Sequence, residues 1–168
     1  MIKKLTLMAM LMALSTGAAA EMKIVVLDTV RAILESEEAK VLITAAEKEM
    51  EGEQNELRQL AEQHQGLQEK LSKDRDVMSQ TEQRSVAKDI EDLEIDLQFR
   101  SQKLQKEVQD KRQEILVALA PKFEKVRNDL IEVEGYDMIV APNALIWVNP
   151  RNDITRRVTE RMNESSDN

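Results

Sequence analysis

The sequence predicts a mostly helical α+β protein, in which a small β body closed by self-association carries a long antiparallel coiled-coil hairpin as an arm. Three observations predict it. Aromatics are 2% of 168 residues and charged residues 33%, with four Gly and three Pro, which is the composition of long helices rather than of one compact core. Apolar residues recur every seven positions through the middle of the chain. Short β-branched runs stand at both ends, "KIVVLD" (23–28) and "YDMIVAPNALIWV" (136–148), where the helical rhythm is absent.

Residues 1–20 read as a cleavable secretory signal: Lys3 and Lys4, an apolar run from Leu5 to Leu14, then small residues ending in Ala18-Ala19-Ala20. The run is shorter than the roughly 20 residues a membrane-spanning helix needs. Removing Lys3 and Lys4 leaves 22 basic against 32 acidic residues, a net charge of −10. That balance argues against nucleic acid as a partner, because phosphate binding needs a basic stripe. Cys is absent, so no disulfide or thiol chemistry is expected.

Ile24 to Leu27 is a strand pattern, and Asp28 or Thr29 can cap a helix starting near Val30. From Glu37 to Met78 two interleaved series form a seam: Met50, Leu57, His64, Leu71, Met78 and Ala46, Glu53, Leu60, Leu67, Asp74. The rhythm lapses over 73–84. A second seam then runs through Val86, Ile90, Leu93, Leu97 and Leu104, with polar continuations Arg100, Glu107 and Lys111. Two limbs of about 40 residues, each roughly 60 Å long, predict a hairpin over 37–121 with its tip near 76–82; the alternative is one continuous rod. Folding at the tip sets Leu57 against Leu104, His64 against Leu97 and Leu71 against Ile90. Nearer the base it sets Met50 against Lys111 and Glu53 against Glu107, where the limbs splay or long side chains snorkel outward.

Pro121 is expected to interrupt or kink the second limb, and Gly135 to stop the helix that follows. Met138–Ala141 and Leu145–Val148 predict a strand hairpin turning at Pro142-Asn143. Asp153 is the expected N-cap of a last helix carrying Ile154, Val158 and Met162 on one face, and 163–168 predict a disordered tail. The body therefore comprises 21–36 and 122–162. Three short strands with open edges are marginal alone, so strands from several copies are expected to cover one another.

The two ends together, "KIVVLDTVRAILESEEAK" (23–40) and "GYDMIVAPNALIWVNPRNDITRRVTERM" (135–162), resemble the OmpH-like periplasmic chaperones, the Skp family. Lys23, Ile24, Val25, Val26 and Asp28 carry the first match; Tyr136, Asp137, Ile139, Val140, Asn143, Asp153, Ile154, Thr155 and Val158 carry the second. The resemblance implies a periplasmic homotrimer whose β body bears three arms around a cavity. It further implies holding of unfolded outer-membrane β-barrel proteins without ATP. Well-known members are strongly basic, whereas this chain is acidic, so a lipid or lipopolysaccharide role does not transfer.

Ile24, Val26, Ile139, Val140, Leu145, Trp147 and Ile154 are the expected residues of the trimeric body. Ile95 and Phe99, one turn apart and off the seam, read either as a client contact or as extra packing within the hairpin. Val77 and Met78 at the tip read as a second client contact or as incidental apolar residues of a hinge. His64, the one histidine, reads as a tolerated polar seam residue: a lone ring builds neither a zinc site nor a triad. No cofactor, metal or enzymatic chemistry is expected. Arg151, Arg156, Arg157 and Arg161 form the one basic patch, a solvated face or a point of transient contact with a membrane surface. The competing function is a structural periplasmic coiled-coil adaptor.

Overall fold

The structure is a computed structural model describing residues 22–165, so the signal segment 1–20 and the end of the tail lie outside the described residues. Strand β1 (Ile24–Val26) leads into a short helix α1 (Thr29–Leu34). Asp28 caps α1, its side chain accepting from the Arg31 N–H at 2.9 Å. Ser36 breaks the chain and starts the long helix α2 (Glu37–Asp74): its Oγ donates to the Ile33 carbonyl and accepts from the Ala39 N–H. After a turn over 75–79, Ser79 and Glu82 form a capping box for helix α3 (Gln80–Glu134). Gly135, at φ 65°, ends α3 in the left-handed conformation that favours glycine.

Strand β2 (Met138–Val140) then pairs with β1 in parallel, Val25 opposite Ile139. A parallel pair cannot be joined by a tight turn. Here the whole arm is the crossover. A bridge between Val26 and Asp153 extends the sheet by one contact, and helix α4 (Thr155–Glu164) closes the body.

Helix α3 belongs to both parts of the molecule. Its first two-thirds pair with α2; its last turns carry Ile115, Leu119, Phe123, Val126 and Leu130 into the body core. There they meet Val25 and Leu27 from the first strand region, Ala32 and Ile33 of α1, and Ile154, Val158 and Met162 around α4. Arg127 lies over the Phe123 ring, 5.8 Å from its centroid.

Four expectations need correction. Residues 138–148 do not form a strand hairpin: Pro142–Ala144 is a 3-10 turn, and Leu145–Val148 forms no strand. A two-residue hairpin turn favours positive φ at its first central position, which the proline ring forbids. Pro121 does not interrupt the limb, because α3 runs through it. The bond it forfeits belongs to the carbonyl of Val117, a residue on the wet side of the helix at 62% exposure, so water replaces it. Ile154, not Asp153, occupies the N-cap of α4, although the Asp153 carboxylate still accepts from the Thr155 N–H at 2.9 Å. The helix also continues through Asn163 and Glu164, and Asn163 accepts from the Glu37 N–H, so these first two residues of the expected tail are helical.

Candidate interaction surfaces

The arm is built by two facing seams. On α2 the shielded positions are Ala39, Ile43, Ala46, Met50, Glu53, Leu57, Leu60, His64, Leu67 and Leu71, alternating steps of four and three. On α3 they include Val86, Ile90, Leu93, Leu97, Leu104, Glu107, Lys111, Ile115 and Leu119. His64 sits in this seam, 3.4 Å from Gln68, and among the described residues no group of three or more potential metal ligands exists.

The seam is not apolar throughout. Between Met50 and Leu57 on α2, and between Leu104 and Ile115 on α3, acids and bases replace leucines. Lys103 reaches across to Glu53 at 2.6 Å and along its own helix to Glu107 at 3.4 Å. Arg100 joins Glu56 at 2.9 Å to Asp96 at 3.0 Å, and Lys111 joins Glu49 at 3.3 Å to Glu114 at 3.5 Å. The hydrogen bond that Lys103 donates to Glu53 holds the Glu53 carboxyl below its ordinary value and the Lys103 ammonium above its own. Asp96 raises Arg100 and Glu49 raises Lys111 in the same manner. All these side chains remain largely solvated, so each pair is individually weak. The limbs do not simply splay at Glu53 and Glu107. Lys103 stitches them.

Ile95 and Phe99 lie outside the seam. Two residues, roughly 200° of helix rotation, separate Ile95 from Leu93 on one side and from Leu97 on the other. Ile95 and Phe99 are accordingly 61% and 65% exposed, which removes the reading in which they pack inside the hairpin. Val77 stands at the turn, 85% exposed, with Met78 half-buried beside it.

The body residues separate into two sets. Val26 and Ile154 are buried within their own chain, and Ile139 and Val140 are half-buried. Ile24, Leu145 and Trp147 are exposed, Trp147 to 76%, so Trp147 is not core of the single chain. Ile146 between them, fully exposed, was not singled out from the sequence, although it sits inside the same uninterrupted apolar run. Such a run resists assignment because alternation cannot say which side faces out.

The arginine cluster is largely balanced on the spot. Arg156 pairs with Glu160, Arg161 with Glu164, and Arg157 with Glu134 and the Tyr136 hydroxyl. Among the described residues no helix is long and apolar enough to cross a membrane.

The described residues thus form a long helical-hairpin arm on a small body, with exposed apolar side chains on both. Residues 23–162 match the family described as Outer membrane protein (OmpH-like), and the chain belongs to that family. A Skp-like protein of Pseudomonas aeruginosa is 36% identical over 148 residues, covering 88% of each chain. A crystal structure described as an outer membrane chaperone (OmpH-like) from Caulobacter crescentus CB15 shares the fold, with a TM-score of 0.53 over 87% of this chain and 86% of that one, at 17% identity.

Proposed function

We propose that this protein is an ATP-independent periplasmic holdase. It takes unfolded outer-membrane β-barrel proteins into a cavity between the arms of a homotrimer and keeps them from aggregating in transit. The observation that carries the reading is the outward Ile95–Phe99 pair on an arm whose fold does not need it. An unfolded barrel strand alternates apolar and polar residues and aggregates when exposed. Many weak apolar contacts along flexible arms hold such a chain firmly in sum, yet each is released easily. No nucleotide is required for that.

The trimer is the second part of the proposal. Ile24, Met138, Leu145, Ile146 and Trp147 are exposed around a two-stranded sheet whose other residues pack on the helices, leaving an apolar rim and open strand edges without cover. Neighbouring copies supply the cover, leaving the arms free. Export through the segment 1–20 and release from it place the protein in the periplasm.

Light scattering tests the holdase reading. A urea-unfolded outer-membrane protein is diluted into buffer with the intact protein or with a form lacking residues 50–110. The intact protein is expected to suppress scattering and the armless form to lose that effect; equal suppression by both defeats the mechanism. Sedimentation at micromolar concentration tests assembly, and a monomer mass there defeats the trimer.

A further inference from the structure

The charged layer in the middle of the arm does more than fill a gap in the seam. Six carboxylates, Glu49, Glu53, Glu56, Asp96, Glu107 and Glu114, share three cations, Arg100, Lys103 and Lys111. Each cation binds one acid across the arm and one on its own helix. The cross-arm ion pairs of this layer each pass through one of these three cations, none of which is buried, while Glu53 also meets Glu107 directly across the arm. Toward the tip the seam is closed by Leu57, Leu60, Leu67 and Leu71 against Val86, Ile90, Leu93 and Leu97; toward the base by Ala46, Met50 and Ile115. Two apolar zippers meet at an ionic joint that spans about one heptad on α2, from Glu49 to Glu56, and runs from Arg100 to Lys111 on α3, with the half-shielded Leu104 inside it.

We propose that this layer is an electrostatic joint, which lets the limbs part in mid-arm while both zippers stay closed, and which loosens as ionic strength rises. The joint differs from a general softness of the arm because its cause is local. Apolar contacts are insensitive to moderate salt. Attraction between exposed charges is screened, over about 10 Å at 0.1 M salt and about 3 Å at 1 M, the latter comparable to the links themselves. The carboxylates outnumber the cations two to one. Loss of one cation therefore leaves acids facing each other: without Lys103, Glu53 and Glu107 meet across the seam with no base between them.

The inference does not depend on the holdase reading, since it is read on the protein alone. Hydrogen exchange followed by mass spectrometry on the intact protein, at one pH, tests it. Raising sodium chloride from about 20 mM to about 1 M is expected to speed exchange of peptides covering 49–57 and 100–111 by about three- to tenfold. Peptides covering 64–71, 86–97 and the body helix 123–130 are expected to stay within about twofold. Glu53→Leu with Glu107→Leu, which continues the apolar zippers and leaves only the Arg100–Glu56 and Lys111–Glu49 links across the arm, lowers the salt response. Lys103→Gln shows fast joint exchange already at low salt, and Lys103→Arg restores protection. A uniform salt response along the arm overturns the joint, as does a response undiminished in the double leucine variant. Should that variant not fold, exchange in Lys103→Gln that matches the unaltered protein overturns it equally.

Discussion

Body and arm are held together by different physics, although one helix runs through both. In the body, α3 presents Ile115, Leu119, Phe123, Val126 and Leu130 to a shared core where Val158 and Met162 have no exposed surface at all. In the arm, the same helix meets a single partner along one stripe, and most of its seam is only half shielded. A residue in the body touches neighbours from several elements; one in the arm touches α2 or water. The body therefore concentrates stability in few positions, and the arm spreads it over many.

The largest predicted effect follows from that concentration. Phe123→Ala removes a ring that is 3% exposed and leaves a cavity among α1, α3 and α4, which should cost about 3–5 kcal/mol. Chemical denaturation should show it as an early loss of helix signal. A cost under about 1 kcal/mol would mean the core is plastic and the contrast between the two regions is overdrawn. Next comes Ser36→Ala at the junction. Its buried hydroxyl both caps α2 and satisfies the Ile33 carbonyl, so its loss should cost about 1–2 kcal/mol in the same measurement.

How much of this was legible in the sequence follows the same division. The arm seam could be read residue by residue, from Met50 to Leu71 and from Val86 to Leu104, because a coiled coil repeats one local rule and needs no long-range information. Even the awkward meeting of Glu53 with Glu107 emerges from the spacing. What the spacing lacks is Lys103, which lies off the seam and matters only because its stem reaches back across it. The body was less legible. Its β1–β2 pairing joins residues more than a hundred positions apart, whereas "MIVAPNALIWV" offers a local hairpin that Pro142 geometrically refuses. Strand partners are a non-local choice. Likewise Pro121 looks like a break until the helix is seen to turn the affected carbonyl toward water. The Ile95–Phe99 pair was legible as an off-seam spot, but which side of the hairpin wall it occupied was decided by exposure alone.

Acid should expose the arm's ionic contribution. Glu53, held below the ordinary carboxylate value by its bond from Lys103, contributes stability that is complete above that ordinary value of 4.5 and disappears as pH falls through its lowered value. Comparing the intact protein with Glu53→Gln isolates the term. The intact protein should be the more stable at about pH 7, with the difference shrinking as pH falls below the ordinary carboxylate range. A difference unchanged by acid would show that Glu53 acts through packing, and the arm would then resemble the body more than its sequence implies.

The smallest effect on stability falls where the functional effect is expected to be large. Ile95→Ser with Phe99→Ser replaces two side chains that face solvent and line no seam, so the denaturation midpoint should move by no more than about 0.5 kcal/mol in free energy. The same variant should suppress scattering of an unfolded outer-membrane protein distinctly less well than the unaltered protein. The pairing of results matters. A body built around a crowded core cannot give up an aromatic without unfolding, but an arm whose cohesion lies in one stripe has its other faces free. If Ile95→Ser with Phe99→Ser destabilised the fold as Phe123→Ala does, the pair would be structural and the outward face of the arm would lose its claim as the client surface. If it changed neither property, contact with clients would have to pass instead to Val77 and Met78 at the tip.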